Sequence, residues 1–311
     1  MRLVKFVMYH YVRQIRESKY KNINGLEWSE FVEQINFLNN NHNIISYGYL
    51  SSLLKNNQPI PKNSVVLTFD DGYKDHFKVY EFLNKKKISG IFFPVASVLK
   101  NRTILDVNKI HFILNSTQKY SLLINEIHSY LKDWYRDDFE KSKLEFKKKF
   151  MLVNRWDPPE VNYIKKVLQH GVSQEIRNKI CDLLFKKYVT HDTCDFSNEL
   201  YLNSDELIEM HNNGMEIGSH GYSHFWLNYL NKVDQEKDID LSLKYFNSLG
   251  LCKKEFLFCY PYGGYDENTL EILNKKGCDG AFTCIPETHD FLKHNILEIR
   301  RFDTNDINHK L

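Results

Sequence analysis

Short runs of apolar, β-branched and aromatic residues recur along this chain, separated by longer stretches in which apolar residues return every three or four positions. The short runs are "LVKFVMY" at 3–9, "SVVLTF" at 64–69, "GIFFPV" at 90–95, "MEIGS" at 215–219, "FLFCY" at 256–260, "GAFTC" at 280–284 and "LEIRRF" at 297–302. Their length and composition are those of strands. Between them, "WSEFVEQINFLNNN" puts Phe31, Ile35 and Leu38 on one helical face. "NSDELIEMHNNG" opens with Asn203 three residues before Glu206, the spacing of a capping box, and closes on Gly214, while "DENTLEILNKKG" ends in the same way on Gly277. Strands alternating with helices predict βα units around a parallel sheet, and seven of them predict closure. The expected fold class is α/β, an irregular (β/α)7-type barrel.

The span 100–202 interrupts that alternation. Long mixed-charge stretches such as "KYSLLINEIHSYLKDWYRDDFEKSKLEFKKKF" contain no clear strand, and the consecutive prolines 158 and 159 in "WDPPEV" divide the span in two. We expect one domain over residues 1–311, carrying a helical insertion at about 100–202. A chain of 311 residues buries enough surface to fold without disulfides. Its six cysteines include no CxxC pair, which speaks against a zinc ribbon or a thioredoxin-like motif and for a reduced compartment. Forty-two basic residues against forty acidic ones leave a net charge of +2, with no cluster of arginine and aromatic residues, so nucleic acid is not an expected partner. The first twenty residues hold an apolar run of about seven residues broken by lysine, too short and too polar for a signal peptide or a membrane span. A cytoplasmic location without stable membrane insertion is therefore expected. No feature of the pattern specifies an oligomeric state.

Two stretches concentrate chemistry. "EIGSHGYSHF" at 216–225 spaces His220 and His224 four residues apart, close enough on one helical turn or tight loop to bind one cation. In a chain with thirteen histidines such a pair also arises as two hydrogen-bonded structural residues. "VVLTFDDGYKDHF" ends a strand in Phe69 and continues with Asp70, Asp71 and Gly72. The C-terminal ends of parallel barrel strands face the active site. Adjacent residues of an extended chain point opposite ways, so the two carboxylates cannot be the facing pair of a glycosidase, which stands about 5–9.5 Å apart across a sugar. They have separate tasks, or form an Asp-Gly turn that caps the next helix. "MYH", ending in His10, and "CYPYGGYD" at 259–266 also follow strands and would gather at the same mouth.

The combination of "TFDDG", an HxxxH motif after "EIGS" and a PYG turn resembles the polysaccharide deacetylases with the NodB homology domain, carbohydrate esterase family 4. The resemblance covers residues 3–90 and 203–302 and leaves the helical insertion outside. It implies that Asp70 is the general base and that Asp71, His220 and His224 hold one divalent cation, zinc first, with cobalt, nickel or manganese as alternatives. The reaction implied is hydrolysis of the N-acetyl group of an amino sugar, within a polysaccharide or its nucleotide- or lipid-linked precursor. The cation and the backbone N–H of Tyr262 would stabilise the oxyanion. The acetylated amino sugar is the implied partner. Two other readings stand beside this one: a metal-dependent amidase acting on small amides, and a catalytically retired carbohydrate-binding protein on the same scaffold. Retention of the base and all three ligands speaks against the last.

The chain departs from the family pattern in three places. Gly221 stands where serine or threonine commonly follows the first histidine, and Ser219 or Ser223 is expected to hold the loop instead. Cys259 stands two residues before the PYG proline, where an arginine commonly pairs with the base. Arg300 and Arg301 are the candidates to replace it, and since neighbours on a strand face opposite ways only one can enter the mouth. Leu297 and Ile299 share a face with Arg301 while Glu298, Arg300 and Phe302 share the other, which does not settle the choice; because branched apolar side chains fill a barrel interior, Arg301 is expected to hold Asp70 by a direct salt bridge. Finally, no histidine near "LEIRRFDTND" matches the family's general acid, although the leaving amine needs a proton. His10 is the first candidate, His289 and His294 the second, and His309 reads as tail. Tyr262 and Tyr265 read either as lining of the sugar site or as packing.

Overall fold

The structure, a computed structural model, describes residues 2–153, 157–252 and 256–307. The chain divides into two compact units, one of residues 1–16, 24–103 and 197–311, the other of 17–23 and 104–196.

The first unit is a ring of seven parallel strands with helices between them: β1 Leu3–Tyr9, β2 Ser64–Asp71, β3 Ile91–Pro94, β4 Glu216–Ile217, β5 Phe256–Cys259, β6 Cys278–Phe282 and β7 Phe302–Asp303. Val7 of β1 lies opposite Leu67 of β2 and, on its other edge, opposite Phe302 of β7. β2 pairs with β3, with Asp70 opposite Phe93, and β3 pairs with β4. β5 pairs with β6. Two single bridges close the ring, Ser219 to Phe258 and Phe282 to Ile299. These thin seams make the (β/α)7 barrel irregular. β2 is buried along its whole length, the condition of a strand covered on both faces. Phe6, Val66, Ile91, Phe93, Leu257, Phe282 and Ile299 meet in one buried cluster, and each such side chain contributes about 1.5–3 kcal/mol through burial.

The helical periodicity translates directly. Helix Trp28–Asn41 buries Phe31, Ile35 and Leu38. The capping box of Asn203 and Glu206 opens helix Ser204–Asn212, and Asp266 with Thr269 opens helix Glu267–Lys275 in the same way. The expected last strand at 297–302 is corrected. Ile296–Glu298 form a 3-10 turn, and of this segment it is Phe302, in β7, that pairs with β1. The backbone there is diverted from the ladder: Asn295 accepts from the Leu297 N–H at 3.0 Å, and the Tyr260 hydroxyl donates to the Leu297 carbonyl at 2.7 Å.

The second unit has no strand among its described residues. Its helices are Asp106–Ser116, Tyr120–Tyr135, Phe139–Phe150, Pro159–Lys166 and Gln174–Tyr188, with Pro159 opening a helix where the proline pair was read as a break. Two ion pairs join the first and last of these, Asp106 with Arg177 at 3.2 Å and Lys109 with Asp182 at 2.7 Å. Among the described residues no helix of the chain is long and apolar enough to cross a membrane.

At the end of the barrel opposite the strand C-termini, the short strand His289–Asp290 runs antiparallel to β1, with His289 opposite Val4. His289 is fully buried against Phe6 and Phe291, and neither ring nitrogen has a hydrogen-bond partner among the described residues. Burial, aided by His294, pushes its pKa down to about 4. In the unfolded chain it titrates near 6.5, so between these values the unfolded state binds the extra proton and stability falls as pH falls. His289→Phe is expected to spare the protein a loss on the order of 3 kcal/mol between pH 7 and pH 4, measured by urea unfolding at both. An equal loss in variant and parent would assign acid lability to other groups.

Candidate active site

β2 delivers both carboxylates. Asp71 and Gly72 adopt φ of +72° and +71°, a left-handed pair that turns the chain sharply off the strand end. A Cβ on Gly72 would lie 2.6 Å from the Pro94 Cβ, so only glycine fits there. Both aspartates are buried, and they face different partners as the strand geometry required.

Asp71 faces the histidines. His220 donates from Nδ1 to the Cys259 carbonyl at 2.8 Å, which fixes the tautomer and leaves the Nε2 lone pair aimed at Asp71. Asp71 Oδ1 lies 3.4 Å from His220 Nε2 and 3.3 Å from His224 Nε2, and the two Nε2 atoms are 3.3 Å apart. A tetrahedral cation with bonds of about 2.0–2.1 Å has ligand–ligand edges of about 3.3–3.4 Å. Three corners of such a tetrahedron are in place. Asp71 Oδ1 is buried without a hydrogen-bond donor, and a cation would supply the positive partner it lacks. The residues present therefore fit a divalent ion.

The loop carrying the histidines is held by Ser219 and by a residue the sequence reading missed. Gly221 N–H donates to Ser219 Oγ at 3.1 Å. The Asp238 carboxylate, from helix Lys232–Ser248, accepts the N–H groups of Tyr222 at 2.8 Å and Ser223 at 2.9 Å. A Cβ at position 221 would stand 2.9 Å from Asp238 Oδ2 at a φ of +75°, which accounts for the glycine.

Asp70 faces Arg301. The guanidinium is fully buried and donates from Nη1 to Asp70 Oδ1 and from Nη2 to Asp70 Oδ2, both at 2.8 Å. Its other donors are also used: Nε to the Thr283 carbonyl at 2.9 Å, Nη1 to Thr68 Oγ1 at 3.0 Å and Nη2 to Cys259 Sγ at 3.1 Å. Cys259 thus sits inside the cluster, with Sγ 3.4 Å from Asp70 Oδ2. Burial works to raise the Asp70 pKa, but the charge and hydrogen bonds of Arg301, with His220 and His10, outweigh it and hold it at about 2. Arg300 turns the other way, to Glu287.

His10 Nε2 stands 3.9 Å from Asp70 Oδ2 with a side chain 40% exposed at the mouth. His76 donates from Nε2 to the His10 carbonyl at 2.8 Å. His289 and His294 lie at the other end of β1, about 20 Å away at 3.3 Å per strand residue, and do not reach the site. His309 lies outside the described residues. Tyr262, at φ +57°, places its ring 4.4 Å from His224 and stacks on Trp226 at 3.5 Å. Tyr265 instead packs on Tyr260 and donates to Glu298 at 2.8 Å. Thr68 was within reach of sequence reasoning, two residues before Asp70 on the same face of β2. Asp238 and Thr283 carried no such signal.

The fold is a (β/α)7 barrel with two polar clusters at its mouth, and comparison with known proteins shows the family. The polysaccharide deacetylase profile matches residues 57–141 and 166–281, more than half of the chain, and the chain belongs to that family. The match extends into the helical span that the motifs alone had left outside. YxkH of Bacillus subtilis (strain 168), designated a candidate polysaccharide deacetylase, is 30% identical over 86 residues, which are 28% of this chain and 30% of that protein. The match thus spans less than a third of that relative's length. Among solved structures, the deacetylase PplD of Streptococcus pyogenes in complex with acetate superposes with a TM-score of 0.59 at 14% identity, over 97% of this chain and 92% of that one. The de-N-acetylase of Aggregatibacter actinomycetemcomitans gives 0.57 at 15% identity over 96% and 94%. IcaB of Ammonifex degensii gives 0.56 at 15% identity over 99% and 95%. At these identities the likeness is one of fold.

Proposed function

We propose that this protein is a metal-dependent N-deacetylase that hydrolyses the acetamide of an amino sugar, within a polysaccharide or its nucleotide- or lipid-linked precursor. The observation that carries the reading is the donor triangle of Asp71, His220 and His224 beside an ionised, arginine-held Asp70. Two imidazoles and one carboxylate suit zinc, with cobalt, nickel or manganese as alternatives. When bound, the ion would supply Lewis acidity toward the acetamide carbonyl and toward water. In this reading Asp70 accepts the proton of the attacking water, its carboxylate kept charged and oriented by Arg301. The backbone N–H of Tyr262, in the PYG turn beside His224, would serve as the oxyanion donor in this reading. His10, at the mouth beside Asp70, delivers a proton to the leaving amine, without which an amide nitrogen is a very poor leaving group. Mass spectrometry for loss of acetyl from a panel of acetamido sugars, polymeric, nucleotide-linked and lipid-linked, with and without added metal, tests the proposal. No acetyl loss from any of them in metal-replete enzyme would overturn it.

Asp70→Asn separates binding from chemistry. The variant is expected to retain a divalent ion while losing activity by about 10²–10⁴-fold, the range of a positioned general base. Near-parental turnover in metal-replete Asp70→Asn enzyme would mean that another group takes the proton.

A further inference from the structure

The geometry points to Tyr73 as the positioning residue that commits Asp71 to one donor atom, and thereby sets how tightly the site holds its ion. The inference rests on the metal reading above. A carboxylate offers two oxygens, and a buried one can bind an ion through one or both. Here the Tyr73 hydroxyl donates to Asp71 Oδ2 at 2.5 Å, while Oδ1 alone faces His220 and His224. The left-handed turn at Asp71 and Gly72 makes this possible, since it folds Tyr73 back under a carboxylate only two residues earlier.

The ring has little freedom to leave. It is buried and stacks on Tyr11 at 4.0 Å and 20° and on Tyr201 at 6.1 Å and 13°, with the edge of His76 at 5.7 Å. Tyr73 and Tyr201 also form an antiparallel bridge, and the flanking backbone is tied by Leu202 N–H to the Gly72 carbonyl at 3.0 Å and Lys74 N–H to the Leu200 carbonyl at 2.8 Å. Behind Tyr11 the Arg13 guanidinium lies 5.0 Å over the ring, anchored to Asp75 at 2.6 Å. The two stacked rings, Tyr11 itself held by the Arg13 cation, keep the hydroxyl on Oδ2. Without it, Oδ2 is a buried oxygen with no donor, free to swing toward the ion or to take up water.

Tyr73→Phe keeps the ring and removes only the hydroxyl. Titration of the purified full-length chain with zinc against a competing chelator, without substrate, is expected to show affinity lowered by about 10–100-fold, the usual worth of an outer hydrogen bond to a metal ligand. The visible spectrum of the cobalt-loaded variant is expected to shift toward higher coordination as Oδ2 joins the ion. Tyr11→Leu, which loosens the ring but keeps the hydroxyl, carries the same test if Tyr73→Phe fails to fold, with affinity lowered by a smaller factor. Parental zinc affinity and cobalt spectrum in a folded Tyr73→Phe protein would overturn the inference and leave the metal reading intact. A parent chain that binds no divalent ion would overturn both.

Discussion

Alanine at Asp71, His220 or His224 is expected to abolish the proposed deacetylation, because each change removes one of the three ligands the proposal assigns and leaves an ion poorly held. The three donor atoms stand 3.3–3.4 Å apart, so the triangle is complete without a further side chain. His220→Ala also releases the Cys259 carbonyl, a single hydrogen bond, and the fold is expected to survive. Metal content per chain after dialysis, measured beside circular dichroism, checks both halves of the expectation. A triple variant that holds stoichiometric divalent metal with parental affinity would place the ion elsewhere.

Arg301→Met is expected to have the second largest effect, and to act on stability, rate and pH profile together. Removing one partner of a buried ion pair costs about 3–5 kcal/mol, because the other charge stays behind without compensation. Asp70 is that charge, and Cys259 and Thr68 cannot replace a forked guanidinium. The base would also lose its orientation, at a cost of about 10²-fold in rate for a displacement near 1 Å. The sign of the pH effect follows from the pKa. With Arg301 present Asp70 is held at about 2, below the ordinary carboxylate value, and stays ionised throughout the working range. Without Arg301, burial is left largely unopposed and raises the pKa, so activity should fall with decreasing pH where the parent is still flat. The stability that Asp70 lends the fold above its unfolded pKa, lost in the parent only as pH drops toward 2, should be absent from the variant. Unchanged denaturation midpoint and pH–rate profile in Arg301→Met would remove Arg301 from the account. Lysine at this position is expected to restore part of the stability and little of the rate, since a point charge cannot grip both carboxylate oxygens.

These expectations differ in how far they were legible from the amino-acid order. The proposed ligand triad is written in two local motifs, since strand ends in a parallel barrel all open at one mouth and a motif that follows a strand must arrive there. Arg301 was narrower. Alternation allowed only one of Arg300 and Arg301 to enter the mouth without saying which, and the preference of barrel interiors for branched apolar side chains favoured Arg301; although the segment is a 3-10 turn and an extended link instead of a strand, Ile299 and Arg301 are both fully buried. His289 and His294 were misjudged because a loop's position in the sequence does not say which end of the barrel it returns to, and theirs pairs with the start of β1.

What the sequence determined by itself is what short-range periodicity and local chemistry encode: the βα alternation, the helix caps, the strand-end placement of Asp70, Asp71, His220 and His224, and the helical character of the span after residue 100. What only the tertiary structure decided are contacts between side chains far apart in the chain or on separate elements. Asp238 reaches from a helix to the backbone of the histidine loop, Thr283 offers a carbonyl to Arg301, and Tyr201 closes over Tyr73. Each of these partners could have been supplied by many residue types at many positions, because a hydrogen bond or a stacked ring asks only that a group arrive at one point in space. Periodicity says which face a residue takes, and the closure of the barrel says what it meets there.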